Sequence, residues 1–215
     1  MNGKKIISLL AAVFLPAMLA PCAFSQELVE LDDVRGFEKR LEETAASIRT
    51  IDSRFMQRKY MDVLQKDMVS EGTFRYMAPD KVRMEYETPV QYVMVMNGDS
   101  MKTVSGGKEN VMRDTGSPMF SQLRSLMTAC MTGALGALND NFKVRFFSGD
   151  GEYVLRLEPL DEFMKDYISM IEMHIDMKEM KLVRLRMNEG GTDYTEYLFS
   201  DIKYNTLEDE GIFEI

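Results

Sequence analysis

One histidine, two cysteines and a few acidic pairs are the residues with which this 215-residue chain could do chemistry. His174 stands between Met173 and Ile175 in a run that reads as a strand. As a general base it would need a nucleophile within hydrogen-bond reach. Its segment holds no cysteine, and the chain contains no Gly-x-Ser-x-Gly elbow. A surface or sheet-face histidine is the expectation. Metal centres need clustered ligands at set spacing, which one histidine and an isolated cysteine do not supply. Gly149-Asp150-Gly151 reads as a hairpin turn, not as a phosphate-cradling loop. Asp32-Asp33 and Asp209-Glu210 read as solvated acidic faces. The pattern favours a binding protein over an enzyme, without cofactor or metal.

Methionine is the unusual residue, with 20 in the chain. An unbranched, polarizable side chain suits a surface that adapts to variable apolar partners, and it also fills ordinary cores. The first 25 residues read as a cleaved signal peptide. Lys4 and Lys5 form its basic start, Ile6 to Ala20 its apolar stretch, and Ala23-Phe24-Ser25 its cleavage site. Residues 26–215 then form one exported domain. Cys22 raises the alternative of lipid anchoring. Such signals want a small residue before the cysteine, and here it is Pro21. Losing Lys4 and Lys5 takes the net charge from −9 to −11. That balance excludes nucleic acid and tight binding to an anionic membrane as natural partners. Cys130 would be the only cysteine left, and it reads as a small buried hydrophobe.

The elements that must carry any binding surface are mostly strands. An apolar stripe from Leu28 to Ile48, through Leu31, Val34, Leu41 and Ala45, predicts an amphipathic helix ended by Ile51-Asp52-Ser53. Six strands in an antiparallel meander follow between Arg54 and Arg113. Ala78-Pro79-Asp80, Thr88-Pro89, Asn97-Gly98 and Gly106-Gly107 close successive strands. Two-residue alternation puts Val82, Met84 and Tyr86 on one face, against Arg83, Glu85 and Glu87 on the other. The next strand is apolar on both faces, with Val93 and Val95 opposite Tyr92, Met94 and Met96. Ser117-Pro118 opens a second helix, Met119–Leu138, whose one charge is Arg124 and which Gly133 and Gly136 could bend. Five more strands lie between Phe142 and Ile202, and the loop Pro159–Tyr167 has room for one helical turn. The fold class is α+β, mostly β. About eleven antiparallel strands form an incomplete, half-open barrel, and amphipathic helices cover its concave apolar face.

These pieces, taken together, resemble the periplasmic outer-membrane lipoprotein carrier family, LolA-like. The resemblance rests on Phe55-x-Gln57, Gly72, Pro79, then Val82, Met84 and Tyr86, Pro89, Asn97-Gly98 and Pro118. It covers most of residues 28–215. It implies a periplasmic carrier that moves acylated lipoproteins from the inner to the outer membrane. Its partners would be an inner-membrane release complex and an outer-membrane acceptor, with transient membrane contact and a monomeric state. The family commonly has an arginine, tied to handover, where this chain has Ala78. The chain also stops at Ile215, without the longer C-terminal extension of some members. A lipid- or glycolipid-binding or sensor domain of the same fold, binding a partner protein, is the alternative.

The resemblance implies an apolar cavity for acyl chains. Alternation independently turns Val82, Met84 and Tyr86 inward. The expected lining is Phe74, Val82, Met84, Tyr86, Met94 and Met96 on the sheet, faced by Leu123, Leu126, Met127 and Met131 on a lid helix. Each buried methylene is worth about 0.8 kcal/mol, so a carrier must bury most of its cargo's chains and still release them. Adaptable, methionine-rich walls fit that requirement.

Overall fold

The computed structural model describes residues 28–113, 126, 129 and 135–215. The expected signal peptide lies outside them, as do Leu123, Met127, Cys130 and Met131. The first meander comprises β2 (Thr50–Met61), β3 (Lys66–Met77), β4 (Lys81–Thr88), β5 (Tyr92–Asn97), β6 (Ser100–Ser105) and β7 (Lys108–Arg113). The second comprises β8 (Phe142–Gly149), β9 (Glu152–Pro159), β10 (Met170–Asp176), β11 (Leu182–Asn188) and β12 (Tyr194–Tyr204). β12 pairs antiparallel with β2, from Tyr194 opposite Tyr60 to Tyr204 opposite Ile51, and so joins the two meanders into one sheet.

The strand order is β1-β8-β9-β10-β11-β12-β2-β3-β4-β5-β6-β7, where β1 is Val29–Glu30. β1 and β7 form its two margins and do not pair with each other, which leaves the barrel half open. The twelfth strand is a correction to the expected eleven. β1 replaces what the apolar stripe suggested was helix, and it pairs Val29 with Ser148 and Glu30 with Phe147. Two residues bonded so far along the chain leave no local pattern to read.

The helix itself, α1, spans Val34–Ala46. Its start is fixed by Asp33, whose carboxylate accepts from the Gly36 N–H at 2.9 Å. Phe37, Leu41 and Ala45, spaced by four, are its buried face. Ile51, Asp52 and Ser53, expected to end the helix, already belong to β2. Of the expected second helix, Leu126 and Ala129 are helical and buried, while Leu135–Leu138 is a 3-10 turn. The single turn expected after Pro159 is α2, Glu162–Lys165.

Strand alternation sorts the sheet into an inner and an outer face. At the Asn97-Gly98 turn, Gly98 takes φ +56, a left-handed conformation that a Cβ would strain. On the outer face, Val95 is fully buried although Val93 and Val104 flank it on a nominally solvent side. The cover is the 3-10 turn Gly211–Phe213, which packs on β4 and β5. Arg83 donates to the Ile212 carbonyl and the Asn97 amide to the Phe213 carbonyl, both at 3.1 Å, and Lys81 pairs with Glu210. Phe213 is fully buried there. This clasp is why β5 is apolar on both sides.

Inside, two clusters form. One packs Phe37 and Leu41 of α1 on Leu155, Leu157, Ile171, Met173 and Ile175 of β9 and β10. The other gathers Ile51, Phe55, Phe74, Tyr76, Val82, Met84 and Met96 of β2–β5. Leu182, Tyr197 and Phe199 pack against both clusters and form the seam between them.

Candidate functional site

A cavity of about 290 Å³ opens along that seam. Phe74, Met84, Tyr86, Tyr92 and Met94 line it from the first meander. Leu182, Leu185, Met187, Tyr197 and Phe199 line it from β11 and β12, and Leu126 caps it. A smaller void, about 40 Å³, lies beneath α1, and Phe74, Leu182 and Phe199 border both spaces. Phe74 and Phe199 meet edge to face there, with ring centroids 5.5 Å apart.

Five of the residues expected at the site therefore meet round one cavity: Phe74, Met84, Tyr86, Met94 and Leu126. Val82 and Met96 share their face but sit packed in the core, at 3% and 2% exposure, away from its lining. Alternation gives the face of a strand, not the depth at which a residue lies. Tyr92, Leu182, Leu185, Met187, Tyr197 and Phe199 were not foreseen. β12 reaches the site only because it pairs with β2, a contact between chain segments far apart in sequence.

Gly72 shapes this wall. In the ladder it lies between Phe55 and Tyr86, and a bulge falls between Glu71 and Gly72. A Cβ at Gly72 would stand 2.0 Å from the Glu85 carbonyl oxygen and 3.0 Å from the Phe55 ring. With that space free, Phe55 and Tyr86 meet above the glycine at 5.0 Å, edge to face. The Tyr86 hydroxyl then lies 3.2 Å from that of Tyr197. Burial pushes both phenols upward in pKa, Tyr197 well above its ordinary value, so both stay protonated.

Toward the hairpin tips the inner face turns polar. Lys59 Nζ lies 3.1 Å from both carboxylate oxygens of Glu189, and Thr195 donates to the same carboxylate at 2.8 Å. Away from the tips the cavity wall is apolar: Phe74, Met84, Leu182 and Phe199.

His174 is on the opposite, outer face, and it is buried rather than superficial, at 8% exposure. Its Nδ1 lies 2.7 Å from Glu152 and 2.9 Å from Arg184. Burial, with Arg184 nearby, lowers its pKa against the opposing pull of Glu152. The ring belongs to an ion-pair network across β9, β10 and β11, with the sheet between it and the cavity. Among the described residues no group of three His, Cys, Asp or Glu side chains is placed to hold a metal ion.

Residues 46–215 match the family described as outer membrane lipoprotein carrier protein LolA. The chain belongs to the LolA family. No curated protein matches it. Among solved structures it is similar to a LolA superfamily protein from Nitrosomonas europaea, at 12% identity and TM-score 0.44, covering 83% of this chain and 97% of that one. It is also similar to a DUF1329 family protein from Desulfovibrio piger, at 12% identity and TM-score 0.49, covering 86% and 98%. A third is the Pseudomonas aeruginosa MucA/MucB complex, at 13% identity and TM-score 0.47, covering 85% and 61%. Among the described residues of this LolA-family chain, no helix is long and apolar enough to cross a membrane.

Proposed function

We propose that this LolA-family protein is exported to the periplasm and carries the acyl chains of lipoproteins between membranes in the cavity of its half-open barrel. The observation that carries the reading is one apolar space walled by both meanders and capped by Leu126. A water molecule takes about 30 Å³ of liquid, so 290 Å³ is on the order of ten waters and holds part of one chain. Loading a lipoprotein therefore widens the cavity. Met84, Met94 and Met187 provide walls that repack at low cost. Leu123, Met127 and Met131 are proposed to line the same cavity beside Leu126.

Native mass spectrometry of the exported chain, with extraction of whatever is bound, tests this. An acylated protein or peptide as adduct supports the carrier reading. A free lipid or glycolipid keeps the cavity and changes the cargo. Uptake of a fluorescent acyl probe should disappear in Met84→Asp while the folded state persists. Unchanged uptake in that variant, or no adduct together with no uptake by the parent protein, overturns the reading in favour of a protein-binding role.

A further inference from the structure

The cavity is not uniform along its length, and its polar end has unused hydrogen-bonding capacity. Tyr86 and Tyr197 share one hydrogen bond, at 3.2 Å. Two phenols carry two O–H protons, and one such bond uses one of them. Neither hydroxyl has another partner among the described residues. One donor is thus left at the wall of an apolar space. Gln57 stands on the same inner face, opposite Tyr197 in the β2–β12 register, and its amide has no hydrogen-bond partner among the described residues. A donor in such surroundings gains most from an acceptor that arrives with the ligand.

The nearby charge argues about which acceptor. Lys59, two residues further along β2, is the nearest cation on this face of the ladder among the described residues. Its ammonium is engaged by both oxygens of Glu189, and Thr195 completes that carboxylate's shell. Among the described residues on this face, a ligand carboxylate would meet Glu189 and find no free cation, whereas a neutral carbonyl needs only a donor.

Resting on the carrier reading, we propose that Tyr86, Tyr197 and Gln57 form a subsite for the carbonyl of the linkage that attaches the acyl chain. The site thereby selects ester- or amide-linked chains over free fatty acids. The chain lies beyond it, against Phe74, Met84 and Phe199. Both phenols stay protonated across the physiological range because burial raises them, so the donor is always available.

Three probes with the same fluorophore and chain length test the subsite: a methyl ester, a free fatty acid and an alkane. The full exported protein should bind the ester about tenfold more tightly than the alkane, the worth of one hydrogen bond in a dry site. It should bind the fatty acid more weakly than the ester. The double variant Tyr86→Phe/Tyr197→Phe should bring ester affinity most of the way down to that of the alkane, with alkane affinity unchanged, and adding Gln57→Leu should remove what remains. The infrared carbonyl stretch of the bound ester should lie lower in the parent protein than in the double variant. An ester preference undiminished in the double variant, a preference for the fatty acid, or equal binding of all three probes overturns the subsite and leaves the carrier reading standing. Failure of all three to bind overturns both.

Discussion

One sheet, two interiors: beneath α1 the inner face is closed, and beneath β3–β5 it is not. The closed half sets Leu155, Leu157, Ile171, Met173 and Ile175 against Phe37 and Leu41, each nearly or fully buried, and leaves a void of only about 40 Å³. The open half presents Tyr86, Tyr92, Met94, Met187 and Tyr197, all half-buried, round 290 Å³. The strands are paired alike on both sides. The difference lies in what the side chains meet. Branched aliphatics from sheet and helix interlock to core density in the first half. In the second, rings and thioethers face a space they do not fill. Stability should therefore reside in the first half and binding in the second.

The sharpest way to break that division is a pair of truncations. Leu157→Ala should cost about 2–5 kcal/mol in urea unfolding, as buried leucines do, with little change in acyl-probe affinity per folded molecule. Met94→Ala should cost about 1 kcal/mol or less, because its side chain already borders space, yet alter probe affinity. Equal stability losses would abolish the distinction. A second test is Gly72→Ala, which drives a Cβ into the β4 backbone. It should cost about 1–3 kcal/mol, and it should also shift Tyr86 and weaken probe binding. If binding stays intact, Gly72 matters to the sheet alone. Third, Asp33→Ala should lower stability by about 1 kcal/mol through the lost cap of α1, with binding unchanged. A loss of binding there would mean that the two halves are coupled.

The smallest effect expected is a pH dependence confined to the closed half. His174 faces Glu152 on β9 and Arg184 on β11, with Glu172 on its own strand. Its folded pKa is lowered, so near the ordinary value of about 6.5 the unfolded chain takes up the proton more readily than the folded one. The stability this contributes is full above that value and falls as pH drops through it, levelling off below the folded pKa. Melting temperatures from about pH 8 to about pH 5 should show the parent protein losing more stability than His174→Gln. Parallel curves would remove the histidine from the account.

Much of this was legible in the sequence, for local reasons. Asn97-Gly98 and the prolines at 79 and 89 mark turns by backbone preference, so the first meander could be counted. Val82, Met84 and Tyr86 declare their face by period alone. What escaped notice depends on distant pairing or on depth. Tyr197 and Phe199 reach the site through β12 on β2, and Val29–Glu30 become a strand only when β8 is present. The clasp shows the same limit. The doubly apolar β5 stood out, but nothing local says that Phe213, far along the chain, covers it. His174 could be placed on a strand, while its burial is the work of side chains from two neighbouring strands.

The unpaired margins β1 and β7 have a consequence for capacity. In a closed barrel, strand number and stagger fix the girth, and with it the largest guest that fits. A sheet with a gap has no fixed circumference. Its curvature can relax by small changes of twist between neighbouring strands, with every ladder bond kept. On the carrier reading proposed above, the space inside is sized by its contents, and one fold serves cargoes with different numbers of chains.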